Sequence, residues 1–200
     1  MSVLHPRAPG DEMGESLPAP EFSSLFDEVV LEPGATAAVL DDLQANVFAP
    51  LRESEIEEIV EAQTNPWPRN DKYHSQWEPL DPRRWRLPSR PLPKSLLNLL
   101  SWSDGLWART GRREFGFLGA AQLREYLLAY HFPEYMPEVL PIALDGGGVF
   151  YCLDMRSEAV DGEYPVLAAS SGDLDFESAV LVSDSLVEAC AGSQPIADLL

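Results

Sequence analysis

LPIALDGGGVFYCLD, residues 140–154, reads as a buried strand, a glycine turn and a second buried strand. Apolar, β-prone runs at Val139–Leu144 and Val149–Asp154 flank Asp145-Gly146-Gly147-Gly148. Glycine accepts backbone angles that a Cβ forbids, so an antiparallel hairpin is predicted. The same turn lacks the lysine and hydroxyl of a phosphate loop and has no helix after it, which leaves the backbone as the reason for its glycines.

Working outward, residues 165–169 and 179–182 read as further short strands, and Ser183 is placed to cap a last helix carrying Leu186, Val187 and Cys190. Upstream, LPKSLLNLLSWSDGL, residues 92–106, describes a helix. Pro93 suits a first turn, where its missing N–H has no partner to lose. Leu96, Leu97, Leu99 and Leu100 form a broad buried face, and Asp104-Gly105 closes the helix. A strand over residues 114–119 follows, with Phe115 and Phe117 alternating, and then a helix on which Leu123, Tyr126, Leu127 and Tyr130 share a side.

Nearer the N-terminus, Ser54 with Glu57 three residues later has the form of a capping box, opening a helix to about residue 63 with Ile56, Ile59 and Val60 as its apolar stripe. Val39, Leu40, Leu43 and Val47 fall at helical spacing before Pro50, while residues 1–22 read as a loose tail. The chain therefore divides into an N-terminal tail with an accessory helix, residues 1–50, and a main domain, residues 51–200. Within the latter, residues 64–91 form a long ordered loop rich in proline, tryptophan and arginine. Trp67, Trp77 and Trp85 in this loop are candidates for partner contact, since flat rings desolvate well; otherwise they pin the loop by burying their rings while Arg83, Arg84 and Arg86 face water.

Composition narrows the class. The 200 residues carry 33 acidic and 14 basic side chains, a net charge of −19. Residues 1–64 hold 14 acids and 2 bases, residues 65–131 hold 6 and 11, and residues 132–200 hold 13 and 1. Two acidic thirds around a mildly basic middle argue against a nucleic-acid binder, which needs an extended positive surface; they would steer a partner with a basic surface, but on charge alone the acidity reads first as keeping the protein soluble. No apolar run suits a signal peptide or a membrane span, so a cytoplasmic location is expected.

No motif assembles an active site. Cys152 and Cys190 fall at apolar positions, where a thiol acts as a small hydrophobe. His5, His74 and His131 have no metal-ligand spacing, and no G-x-S-x-G elbow occurs. Asp173, Asp175 and Glu177 alternate as in a calcium loop but lack its glycine and twelfth-position carboxylate. They read as a solvated acidic loop and a candidate contact for a basic partner. No cofactor, metal or membrane partner is expected, and the oligomeric state is open.

In order along the chain, SEIEEIVEAQ, LPKSLLNLL with its exit turn, LPIALDGGGVFYCLD, the Pro165-Val166 strand and SAVLVSDSLVEACAG resemble the SUKH superfamily of SMI1/KNR4-like domains. The resemblance covers residues 54 to about 192. Its recurring positions are matched here by Leu92, Pro93, Trp102, Gly105, Gly147, Gly148 and Asp154, with Asp104 standing where the family usually has asparagine and Asp145 opening the hairpin turn. The loop at 64–90 is longer than the family's usual connection. The resemblance implies an α+β domain with a bent, mainly antiparallel sheet and surrounding helices. It also implies a non-catalytic cytoplasmic immunity protein that binds and neutralises a polymorphic or contact-dependent toxin, in many cases a nuclease. Two alternatives stand beside it: a carbohydrate-binding or carbohydrate-active protein using the tryptophan loop, and a regulatory scaffold like the fungal members.

Overall fold

The computed structural model describes residues 21–200; the expected tail therefore lies outside the described residues except at its end, where Phe22 is buried in the core. The hairpin forms as its sequence dictates. Strands β4 (Val139–Leu144) and β5 (Val149–Asp154) pair antiparallel. One carboxylate oxygen of Asp145 accepts from the amides of Gly147 at 2.7 Å and Val149 at 2.9 Å, closing the turn. The left-handed positions are Gly146 and Gly148, with φ of +79° and +98°, where a side chain would be strained. Gly147 serves differently, since a Cβ there would sit 3.2 Å from the Asp145 carboxylate. Pro141 cannot donate to the ladder, and the register shifts between Pro141 and Ala143, so the proline sits at a bulge.

Among the described residues, seven strands form one open sheet in chain order, each antiparallel to its neighbour, and with six α-helices the fold is α+β. The remaining strands are β1 (Glu28–Leu31), β2 (Leu106–Thr110), β3 (Arg113–Phe117), β6 (Val166–Ser170) and β7 (Val180–Ser183). Helices α1 (Ala37–Asn46), α2 (Glu53–Ala62) and α3 (Lys94–Trp102) fill the excursion between β1 and β2. Helices α4 (Ala120–Ala129) and α5 (Phe132–Tyr135) separate β3 from β4, and α6 (Leu186–Ala191) follows β7.

The central strands are covered on both faces, which is why β4 and β5 read as continuous apolar runs. On one face Phe150 meets Tyr130 and Phe132 edge-on at 4.7 and 5.2 Å. On the other, Tyr151 packs 4.7 Å from Phe115 and donates its hydroxyl to the Glu114 carbonyl. Burial pushes this phenol up from its ordinary pKa. Phe22, Leu43 and Val47 share one hydrophobic cluster with Leu96, Leu123 and Phe150, so residues before 51 contribute to the same core as those after it.

Several local readings shift. Strands β1 and β2 are additional to those predicted, and β3 spans Arg113–Phe117 because Gly119 is already the cap of α4. Pro93 caps α3 from outside its first turn. In α2 the cap is Arg52, whose amide donates to Glu55 at 2.8 Å, so the reciprocal partner is Glu55 and Ser54 lies inside the helix. Ser185, not Ser183, caps α6 by accepting from the Glu188 amide, because Ser183 still belongs to β7. Gly34 marks a crossing: the Ala35 amide donates to the Leu100 carbonyl, and a Cβ on Gly34 would lie 2.0 Å from the Ser101 carbonyl oxygen. Residues 64–91 contain only two 3-10 turns, His74–Gln76 and Pro82–Arg84. Among the described residues, no helix is long and apolar enough to cross a membrane.

Candidate partner-binding surface

The tryptophan loop is tied to the body at several points. The Gln63 side chain accepts from the Leu80 amide at 2.5 Å and donates to its carbonyl at 3.1 Å. Asn65 donates to the His74 carbonyl, and His74 Nδ1 lies 2.8 Å from the Trp67 carbonyl. Half-buried Trp85 donates its indole N–H to Glu134 at 2.7 Å and packs 5.5 Å from the His131 ring. Trp77 is also half-buried, whereas Trp67 is exposed and leans on Tyr73 at 5.1 Å. Arg83, Arg84 and Arg86 face solvent. Among the described residues no ring contact joins two of the three tryptophans. Trp85 acts as a pin, and Trp67 is the indole left accessible.

Asp173, Asp175 and Glu177 are all exposed on the connection between β6 and β7. Asp175 accepts from the Glu177 amide, and the Ser178 hydroxyl donates to the carbonyls of Asp173 and Asp175, so the loop is shaped by its own turn bonds. Beside it, Arg156 spans Asp154 and the Phe176 ring, its guanidinium carbon 3.8 Å from the ring centroid. Burial acts to raise the Asp154 pKa, but hydrogen bonds from the Arg156 side chain and backbone outweigh it and hold the carboxyl below its usual range.

The remaining signature positions are corners of the fold. Leu92 is buried, Pro93 opens α3 and half-buried Trp102 ends it. Gly105 has a φ of +93°. Asp104 accepts from the Ala120 amide at 2.6 Å, capping α4 from 16 residues upstream. Chemistry is not assembled around the thiols: Cys152 and Cys190 are buried, and desolvation raises both pKa values. Among the described residues, no group of three His, Cys, Asp or Glu side chains comes together as a metal site, and His5 lies outside them.

A different surface is built where α1, α2 and α4 converge, around a groove of about 580 Å3. Its base is held by Arg124 of α4. The guanidinium donates to both carboxylate oxygens of Glu55 at 2.8 Å and to the carbonyls of Asn46, Val47 and Ala49 at 2.9–3.1 Å. It thereby supplies donors to the Val47 and Ala49 carbonyls where α1 ends, adds a second to the Asn46 carbonyl, which also accepts from the Ala49 amide, and ties three helices together. The side-chain bond to Arg124 holds Glu55 below the usual carboxylate range despite partial burial. His131 also lines it, and burial lowers the pKa of its ring against the opposing charge of Glu134.

With the Arg124 charge matched by Glu55, what the groove presents is an apolar floor under acidic walls. Leu43, Val47, Ile59 and Leu128 form the floor, and Asp42, Glu58 and Glu125 stand around it, with Arg52 the other cation in the lining. None of the candidates Trp67, Trp77, Trp85, Asp173, Asp175 or Glu177 lines this groove. The sequence did hold a signal: Glu55, Glu58, Ile59 and Ala62 recur at helical spacing on α2, as do Ala121, Arg124, Glu125 and Leu128 on α4. No protein-family model matches the chain, and no curated protein matches it either.

Proposed function

We propose that this chain is a cytoplasmic immunity protein of the SUKH (SMI1/KNR4-like) type, which binds and neutralises a toxin with a basic surface and performs no catalysis. The observation that carries this reading is the groove between α1, α2 and α4, an apolar floor walled by carboxylates on a chain of net charge −19. Apolar area supplies affinity, while the acidic field steers a basic partner and repels acidic ones. The order of the elements and the structural placement of the signature residues support the SUKH-like assignment. Stoichiometric masking of the toxin's basic surface is the mechanism, with no bond made or broken by this chain.

The test is co-expression with the product of the neighbouring reading frame, because immunity genes commonly lie beside the toxins they counter. Rescue of growth together with a stoichiometric complex on gel filtration is the expected result. A neighbouring product that is not toxic, or that kills equally with and without this chain, overturns the proposal.

A further inference from the structure

We propose that the groove between α1, α2 and α4 receives one amphipathic, basic α-helix of the partner. This deepens the binding function proposed above and rests on it for the identity of the partner, but not for the geometry of the site.

Three features select this occupant. The groove is walled by helices alone, whose backbone groups are satisfied internally or, at the end of α1, by Arg124. An extended peptide laid on the apolar floor would leave its own N–H and C=O groups without partners, whereas a helix brings its backbone already paired. Second, three of the exposed lining positions are small: Ala62, Ala121 and Ala129. They let another helix approach closely enough for its apolar residues to reach Leu43, Ile59 and Leu128. Third, Asp42, Glu58 and Glu125 stand around the floor against one cation, Arg52, since the other lining cation, Arg124, is already paired with Glu55, so the lining stays net acidic. A helix with leucine-like residues on one face and lysine or arginine on its flanks matches both surfaces. A second copy of this strongly acidic chain matches only the floor.

The experiment uses the full chain and a synthetic helical peptide of about 18 residues, leucine on one face and lysine on the flanks, with a control in which every lysine is glutamate. Binding is followed by fluorescence anisotropy, and folding of each variant by circular dichroism. The lysine peptide is expected to bind, and to bind about tenfold more weakly on going from about 50 to about 300 mM salt. Ala129→Trp, which fills the groove from an exposed position, and the pair Glu58→Lys with Glu125→Lys are each expected to weaken binding at least about tenfold without loss of fold. The glutamate peptide is expected not to bind.

Equal binding to wild type and Ala129→Trp, equal binding of the two peptides, or no binding of the lysine peptide overturns the proposal. So does a concentration-dependent dimer in sedimentation that Ala129→Trp abolishes, since the groove then belongs to a second copy. The neighbouring gene product separates this inference from the function. If it binds Ala129→Trp as tightly as wild type, the groove is not the site and the immunity role stands. If the peptide results hold and the neighbouring product neither kills nor binds, the groove stands and the immunity role falls.

Discussion

Arg124 and Glu55 face each other across α4 and α2 in a bidentate pair, both bonds 2.8 Å long, with side chains only 13% and 16% exposed. The same guanidinium serves the last carbonyls around the end of α1, so one side chain positions all three walls of the groove. Removing it leaves the Val47 and Ala49 carbonyls without their donor and takes from Glu55 its charged partner, leaving it the Arg52 amide. Arg124→Met is expected to lower the unfolding free energy by about 3 kcal/mol, read from urea denaturation.

The partner substitution carries a pH signature. The folded-state pKa of Glu55 lies below its ordinary value of 4.5, so its contribution is complete above that value and is lost as pH falls through the depressed folded value. The stability difference between wild type and Glu55→Gln should therefore be constant from neutral pH down to about 5 and shrink steadily below it. A difference that grows on acidification contradicts this assignment.

Asp104 illustrates a tolerant corner. Its carboxylate oxygen accepts from the Ala120 amide, a task that an asparagine carbonyl performs equally well. Asp104→Asn should change stability by no more than about 0.5 kcal/mol and Asp104→Ala should cost about 1 kcal/mol, both by thermal denaturation.

Arg113 is 5% exposed, and among the described residues it has no salt-bridge partner. Its guanidinium donates instead to the carbonyls of Gln194 and Ala189, closing the C-terminal end of α6. A Cβ on Gly192 would come within 2.1 Å of this side chain. Gly192→Ala should therefore destabilise the wild type by about 2 kcal/mol and cost clearly less in an Arg113→Ala background, a non-additivity that a double-mutant cycle measures. Strict additivity would mean that the contact does not decide the glycine.

Strand β1 forms one edge of the sheet and leaves Val29, Val30 and Leu31 exposed. Exposed apolar edges template association. Val30→Lys should leave the melting temperature within about 2 °C of wild type while reducing aggregation at high protein concentration, followed by light scattering.

The chain's own sequence determined those elements whose causes are local. The β4–β5 hairpin announced itself because an Asp-Gly-Gly-Gly turn and its flanking apolar runs are contiguous, and α3 and α4 did so because helical periodicity repeats within a few turns. Strand β1 left no such trace: all four of its residues are exposed, so it has no buried face to impose alternation, and it exists because β2, far along the chain, pairs with it. The cap of α6 shifted for the same reason, since Ser183 is claimed by the sheet, while in α2 the helix begins earlier and Glu55 serves both the Arg52 amide and Arg124. Acidity of α2 and small residues on α4 were legible one helix at a time. Their convergence into a groove was decided by tertiary packing, because the distance between two helix faces depends on every core residue between them and on no single stretch of sequence.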